Sequence, residues 1–305
     1  MNNYELLRQI GQGAFGKALL ARARGDGGGV CVVKEVNLRK MSAREREASQ
    51  KEVVLLSHMK HPNIVSFITA FQESVCLYIV MEYCDGGDLM KRIHMQKGQP
   101  FTEEQIMGWF VQICLGLKHI HDRKVLHRDI KAQNIFLAHG GLRVKLGDFG
   151  IAKRLNRDIW SLGCVLYELC TLKHPFEACS LRQLVASICR GRYAPVPAHF
   201  STGLRQLIGQ LFKVRPRERP SINSLLKLPV LESRIKQHLP TEVLEEEFSH
   251  TVLHNQRPAE SNRCPQNHGA QPRAPERPQV KPPRPERREA FPNPRDAPRM
   301  SLNVY

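Results

Sequence analysis

The chain has 305 residues, enough for one large domain or two small ones, and its 41% hydrophobic content can supply a sizeable core. A formal net charge of +17 favours anionic partners such as nucleotides, nucleic acid, acidic proteins or membrane surfaces, without selecting among them. The region after Met1 lacks an apolar signal core and no apolar run has the length of a membrane span, so we expect neither secretion nor membrane insertion.

Residues 4–100 are predicted to form a strand-rich region with one helix. Runs rich in Val, Ile and aromatic residues, broken by glycine and polar positions, are typical of strands. The segment SAREREASQKEVVLLSHMK has apolar spacing suited to a single helix. The predicted strands are YELLRQI, KALLARA, VCVVKEV, IVSFITAF and CLYIVMEY.

From Thr102 onward helical patterns dominate. TEEQIMGWFVQICLGLKHIHDR opens on a plausible capping residue, and DIWSLGCVLYELCTL is apolar nearly all round, which indicates a helix buried in a large domain. We therefore predict an α+β fold in which a strand-rich lobe precedes a helix-rich lobe. The expected organisation is a domain over residues 4–235, a short helical extension over 236–254, and a disordered tail over 255–305 that is rich in proline and arginine.

A glycine-rich stretch, IGQGAFGKA, joins the first two predicted strands. Its GxGxxG spacing is weak evidence alone, since a flexible turn has the same composition. In a dinucleotide-binding fold these glycines should open a helix. Because they join two strands here, the pattern suits a hairpin that lies over phosphates.

Lys34 lies inside the apolar run VCVVKEV, where a lysine is costly unless it is paired. One reading is an edge-strand lysine that points to water. The other is a lysine that contacts α- and β-phosphates and is held by a helix carboxylate. Glu52 is then the preferred partner, with Glu47 as the alternative.

Two further motifs complete an ordered set. VLHRDIKAQNIFL contains HRDxxxxN, and KLGDFG follows it. In this pattern Asp129 is the carboxylate for a substrate hydroxyl, and Asn134 and Asp148 are ligands for magnesium. The glycine loop, Lys34, HRDxxxxN and DFG occur in this order, which chance does not explain.

These motifs resemble those of eukaryotic protein kinases, over residues 4 to about 235. Lys131 in HRDIKAQN resembles the serine/threonine branch, and IVMEYCDGGDLMKRI and DIWSLGCVLYELCTLKHPF are similar to the NIMA-related (Nek) family. The resemblance implies a two-lobed protein-kinase fold with an antiparallel sheet and one helix in the first lobe. It also implies ATP- and Mg2+-dependent phosphoryl transfer to Ser/Thr hydroxyls of protein substrates.

The resemblance assigns further roles. Met81 would be the gatekeeper, Glu82 to Cys84 the hinge that contacts adenine, and Phe136 would lie beneath the adenine ring. Asp129, Lys131, Lys34 and Glu52 would form the catalytic set. The glycine-loop residues assigned to the nucleotide are Ile10, Gly11, Gln12, Gly13, Ala14, Phe15, Gly16, Lys17 and Ala18.

The match breaks after DFG. Only seven residues, Ile151–Arg157, lie between the DFG motif and Asp158. The family implies roughly thirty more residues in this interval, with an activation loop and an A-P-E-like motif. Arg128 and Arg219 would lose their partners, at a cost of about 3–5 kcal/mol for a buried charge and much less for a solvated one.

The short connection has consequences for fold and function. Seven residues reach at most about 27 Å, which suffices if Asp158 bonds the HRD loop. We expect the fold to survive with lower stability and nucleotide binding to outlast peptide phosphorylation. The alternative is an ATP-binding pseudokinase or scaffold that binds partners through its tail.

The tail and the cysteines bear on partners and location. Pro272–Arg277 and Pro282–Arg287 match P-x-x-P-x-R, a pattern that docks SH3 domains, although a solvated linker is the favoured reading. The tail has few aromatic residues, which argues against nucleic-acid binding. Nine scattered cysteines without a CxxC pair indicate reduced thiols in a cytoplasmic protein. Family resemblance adds the centrosome, cilium and nucleus.

Overall fold

The computed structural model describes residues 1, 3–13, 16–25, 28–148 and 158–253, without the side chains of Lys40, Ala48, Glu52, Glu246 and residues 249–253. The predicted tail, the seven-residue connection and the predicted loop contacts Ala14 and Phe15 lie outside the described residues. The same holds for the Glu52 side chain, so its predicted pairing with Lys34 stays a prediction.

The first region is a five-stranded antiparallel sheet with the strand order β1-β2-β3-β5-β4. The five predicted strands are thereby confirmed, but the fourth begins at Phe67 rather than at Ile64. Ile64 instead makes a parallel bridge to Leu146 in the second lobe. The strands are β1 (Tyr4–Gln12), β2 (Gly16–Ala23), β3 (Val30–Asn37), β4 (Phe67–Glu73) and β5 (Cys76–Glu82).

The predicted helix of this lobe is present as α1 (Ala43–His58). Ser42 caps it, because its hydroxyl accepts a hydrogen bond from the Glu45 amide while the Glu45 carboxylate accepts one from the Ser42 amide at 2.7 Å. This reciprocal capping box satisfies two backbone donors at the helix start. The apolar spacing and the cap together explain why the helix begins where it does.

The second region is mainly helical, as predicted, and contains a short two-stranded sheet. The long helix α3 lies at its centre and buries residues along its whole length. The described elements are α2 (Leu89–His94), α3 (Glu103–Asp122), β6 (Ile135–Ala138), β7 (Arg143–Leu146), α4 (Asp158–Thr171), α5 (Leu181–Arg190), α6 (Thr202–Leu211), α7 (Ile222–Leu226), α8 (Pro229–Ile235) and α9 (Thr241–Leu253).

A buried amide pair joins the two lobes behind the short sheet. Asn63, in the loop before β4, donates to Gln112 of α3 at 3.0 Å and to the Val144 carbonyl at 2.9 Å. Gln112 in turn accepts from the Val144 amide at 2.9 Å, and the Leu146 amide donates to the Asn63 carbonyl at 2.9 Å. Buried polar groups paired in this way set the position of β7, which leads directly to Asp148.

Helix α9 docks on α3 through buried charges. The Lys118 ammonium, almost fully buried, donates to the Glu247 carbonyl, and His119 Nδ1 hydrogen-bonds the Glu247 carboxylate. Lys118 also lies 5.0 Å from the centre of the Phe248 ring. Lys118 also pairs with Asp122 of α3 at 2.5 Å, but the buried His119 and Glu247 pair with each other across the two helices. These contacts make the extension after residue 235 part of the folded lobe.

His61, His119 and Glu247 are buried together and have the ligand types of a metal site. However, His61 Nδ1 accepts a hydrogen bond from the Asn63 amide at 3.0 Å. Burial lowers the pKa of His61 to about 3, so the ring is neutral, and because Nδ1 accepts this hydrogen bond the single proton lies on Nε2. A protonated ring nitrogen does not bind a metal, and the adjacent Lys118 further disfavours a cation.

The α9 contact yields a stability prediction. We expect Glu247→Gln to lower the free energy of unfolding by about 2 kcal/mol, because it removes a charged acceptor from His119 and Lys118. Glu245→Gln, on the exposed side of the same helix, should change it by less than about 0.5 kcal/mol. Urea unfolding followed by circular dichroism measures both, and equal effects would contradict the assigned contact.

Candidate active site

A cleft of about 750 Å³ lies between the sheet and the helical lobe. The structure brings thirteen of the sequence-predicted residues to its walls, although they come from five separate stretches of chain. This convergence is what a nucleotide pocket requires. The residues are Ile10, Gly11, Gln12, Gly13, Gly16, Lys17, Ala18, Lys34, Met81, Glu82, Cys84, Phe136 and Asp148.

The glycine loop is a β-hairpin between β1 and β2, as its position between two predicted strands indicated. The Gly13 amide donates to the Gly16 carbonyl at 2.8 Å across its tip. A Cβ atom on Gly16 would lie 1.7 Å from the Glu35 carbonyl oxygen, so no other residue fits there. The third glycine is therefore required by its contact with β3 as well as by any contact with phosphate.

The adenine end of the cleft is apolar. Met81 and Phe136 pack against buried Val65, Cys84 and Ala138. Burial raises the pKa of the Cys84 thiol to about 12, with only a partial offset from Lys145. The thiol is therefore protonated at neutral pH and forms part of the wall, rather than acting as a nucleophile.

Lys34 bridges the cleft to Asp148. Its Nζ lies 2.5 Å from Asp148 Oδ1, and both side chains are partly exposed. Strand β3 is central in the sheet, between β2 and β5, so the reading of Lys34 as an edge-strand lysine is wrong. Asp148 has a φ of 52°, an uncommon backbone conformation that aims its carboxylate back toward the sheet lobe.

The catalytic-loop residues form one hydrogen-bonded group. Asn134 Nδ2 donates to Asp129 Oδ2 at 2.7 Å and to the Asp129 carbonyl at 3.0 Å, and Lys131 Nζ lies 2.8 Å from Asp129 Oδ2. Since the Asn134 amide nitrogen is used in this way, its oxygen is free to face a cation. Asn134 and Asp148 thus offer the oxygen ligands that magnesium prefers, and the Gly147 amide links their loops by donating to the Asn134 carbonyl at 3.0 Å.

Asp158 anchors this loop, as predicted. Its carboxylate accepts from the His127 amide at 3.0 Å, the Arg128 amide at 2.9 Å and His121 Nε2 at 2.9 Å. Burial alone would raise the pKa of Asp158, but these hydrogen bonds outweigh it and hold the pKa below its ordinary value. The first described residue after the short connection therefore holds the catalytic loop in place.

His127 connects this anchor to the loop of Asp148, the second predicted metal ligand, a role that the sequence did not reveal. The ring is fully buried, and burial lowers its pKa, so it is neutral. Its Nε2 donates to the Gly147 carbonyl at 3.0 Å, and its Nδ1 accepts from the Asp129 amide at 3.4 Å. The HRD motif pointed to this residue, but only the fold shows that it joins Asp129 to the residue before Asp148.

Neither arginine that was expected to lose its partner is a buried, unpaired charge. Arg128 is exposed to solvent. Arg219 donates to the Lys213 carbonyl at 2.8 Å and the Val214 carbonyl at 3.1 Å, and its guanidinium lies 4.7 Å from the centre of the Trp160 ring. The larger cost considered for a buried charge does not apply at either position, because water or new partners replace the family's contacts.

The match to a known protein family falls into two pieces, on either side of the seven-residue connection. Residues 4–158 and 156–231 match the family described as "Protein kinase domain". The chain belongs to the protein kinase family. The two-lobed kinase fold predicted from the motifs is thereby confirmed. The two matched pieces meet at the end of the seven-residue connection, where the sequence lacks the expected segment.

Nek kinases are among the similar relatives, which confirms the NIMA-related resemblance. The chain is 57% identical to human Serine/threonine-protein kinase Nek5 over 282 residues, 83% of this chain and 40% of the relative. It is 52% identical to mouse Nek5 over 285 residues, 84% of this chain and 45% of the relative. Mouse Nek1 is 50% identical over 277 residues, 81% of this chain and 23% of the relative. The chain thus spans less than half the length of these relatives. Among the described residues no helix is long and apolar enough to cross a membrane.

The anchor at Asp158 can be tested by substitution. Asp158→Asn should lower the free energy of unfolding by about 2–3 kcal/mol at pH 7, because a charged acceptor of three hydrogen bonds is lost. A carboxyl whose pKa is lowered on folding stabilises the protein above its ordinary pKa, here 3.8, and loses that effect as the pH falls further. The gap between the two proteins should therefore be constant above pH 3.8 and shrink below it. A gap that widens in acid would contradict the assignment.

Proposed function

We propose that the chain binds Mg-ATP and transfers the γ-phosphoryl group to a Ser or Thr hydroxyl of a protein substrate. The observation that carries the proposal is the placement of Asp129, Lys131 and Asn134 in one hydrogen-bonded group, with the Lys34–Asp148 pair in the adjoining cleft. Relatives named as serine/threonine-protein kinases support the same reaction class.

Each side chain has a role that its position supports. Lys34 offers a positive charge for the α- and β-phosphates, and Asn134 and Asp148 are the residues that would hold magnesium. When bound, magnesium neutralises charge that develops on the phosphates. Asp129 accepts the proton of the attacking hydroxyl and orients its oxygen, while Lys131 faces charge on the transferred group. Catalysis is then mainly positioning and charge stabilisation.

We also propose that this chain transfers phosphate to proteins more slowly than a kinase with the full-length activation segment of the family. The segment that would form the floor of the substrate groove is shortened to Ile151–Arg157. The adenine wall, the lysine and the catalytic loop do not include that segment, so nucleotide binding needs less of it. Impaired phosphorylation with retained ATP binding is the specific expectation.

The proposal also covers the partners of the chain and its location in the cell. We propose protein substrates on the basis of the relatives' names. We propose an SH3-type partner on the P-x-x-P-x-R motif alone, at Pro272–Arg277 or Pro282–Arg287. A cytoplasmic location has its support in the scattered, unpaired cysteines of the described residues.

Calorimetric titration with Mg-ATP tests the proposal. The wild-type chain should bind, and Asp148→Asn should bind at least about tenfold more weakly, since a metal ligand and the partner of Lys34 are lost. Lys227→Met, a change at an exposed lysine, is the control and should leave affinity unchanged. Absence of heat at millimolar Mg-ATP, from protein with folded near-ultraviolet circular dichroism, would contradict the proposal.

A phosphotransfer assay separates the kinase from a scaffold. The chain is compared with a version in which the corresponding segment of human Nek5 is inserted after Arg157. We expect the longer version to phosphorylate a general protein substrate at least about a hundredfold faster, and Asp129→Asn in that version to abolish the gain. Equal rates in the two versions would contradict the expected impairment.

A further inference from the structure

The carboxylate of Glu82, a residue of the cleft wall, makes contacts outside the nucleotide cleft that its predicted hinge role did not suggest. Its Oε1 accepts a hydrogen bond from the Ser66 amide at 2.6 Å and lies 2.7 Å from Lys145 Nζ. Backbone contacts run alongside, since the Glu82 amide donates to the Ser66 carbonyl at 3.0 Å. One carboxylate oxygen thus ties the predicted hinge both to the loop before β4 and to β7.

Lys145 belongs to the opposite lobe. It lies in β7, and its side chain is only 9% exposed, which makes it costly unless it is paired. Glu82 supplies that partner, and its own side chain is 28% exposed. The pair thus joins the end of β5 to the short sheet of the helical lobe, in a setting less screened by water than a surface ion pair.

The register of the short sheet connects this pair to the adenine site. Lys145 is directly opposite Phe136 in the β6–β7 pair. Directly opposed residues of an antiparallel pair share a face of the sheet. Phe136 lines the cleft and packs beside Cys84, two residues beyond Glu82. The Lys145 charge also reaches Cys84, because it partly offsets the rise in the pKa of that thiol caused by burial.

We propose that Lys145 is a positioning residue for adenine, and that its ion pair with Glu82 sets the height of the hinge above Phe136. Without the Lys145 ammonium, the Glu82 carboxylate is better solvated by water than by the protein, so its side chain turns toward solvent. The hinge backbone then moves with that side chain. The inference rests on the proposed binding of ATP. It concerns the base alone, because the Lys34–Asp148 contact at the phosphate end does not involve this pair.

Calorimetry with three probes tests the inference: Mg-ATP, adenosine, and Mg-tripolyphosphate. Lys145→Met and Glu82→Gln should each weaken adenosine and Mg-ATP about tenfold, the equivalent of one lost hydrogen bond, and change tripolyphosphate less than about twofold. Lys145→Arg keeps the charge and should stay within about twofold of wild type for every probe. The double variant should be no weaker than either single one, because both remove the same contact.

Lys51→Met is the matched control. Lys51 also forms an ion pair, with Glu47 at 2.6 Å, but its side chain is 71% exposed and lies on α1. We expect no change for any probe. If Lys145→Met fails to fold, the Glu82→Gln and Lys145→Arg results decide the question, since each keeps a polar group in place.

The outcomes are distinct. Unchanged adenosine affinity in Lys145→Met or Glu82→Gln, with wild-type protein that binds Mg-ATP, overturns this inference alone. An equal loss for adenosine and tripolyphosphate also overturns it, because that result marks a general loss of structure. Wild-type protein that is folded and binds neither Mg-ATP nor adenosine overturns the proposed function, and this inference with it.

Discussion

The hydrogen bonds from the catalytic loop to Asp158 are the interaction on which the rest of the site depends. Asp158 is the first residue of α4, and its carboxylate accepts hydrogen bonds from the backbone amides of His127 and Arg128. His127 passes the constraint on to Gly147, which precedes Asp148. A single buried acidic group therefore positions both the predicted general base, Asp129, and one predicted metal ligand, Asp148, although the chain between Asp148 and Asp158 is short.

A second set of contacts positions the cleft from the side of the sheet. The Asn63–Gln112 pair holds β7 against α3, and the Lys145–Glu82 pair holds β7 against the hinge. Strand β7 thus has its place fixed from two directions, by a neutral hydrogen-bonded network and by a half-buried ion pair. Both sets are made by described residues outside the shortened segment, so they can hold β7 in the cleft wall whatever the length of that segment.

Sequence patterns predicted the helices and strands and many of the residues that line the cleft, because motif order and apolar period are local properties. They predicted the contact of Asp158 with the HRD loop but missed other partners. The contact between Lys34 and Asp148, 114 positions away, was not among the predicted pairs, and the pairing of Lys34 with Glu52 stays a prediction. Arg219 was expected to lose its partner, and it bonds two backbone carbonyls and stacks on Trp160. Such contacts depend on which strands and helices meet, which no local pattern records.

Lys145 shows the same limit more clearly. In the sequence it is one lysine in KLGDFG and has no motif role, yet the fold buries its ammonium beneath the hinge. Gly16 is the opposite case, because it does belong to a motif. The motif explained this glycine by a contact with phosphate, and the structure adds a close contact with the β3 backbone. Burial and register, rather than residue type, decide both.

Amide hydrogen exchange at His127 and Arg128 tests the central claim most directly, because the hydrogens measured are those that Asp158 accepts. If Asp158 anchors the catalytic loop despite the short connection, both amides exchange only at the rate of global unfolding. Exchange at the rate of an unstructured peptide, while the α3 amides stay protected, would show that the loop is not anchored and would contradict the account.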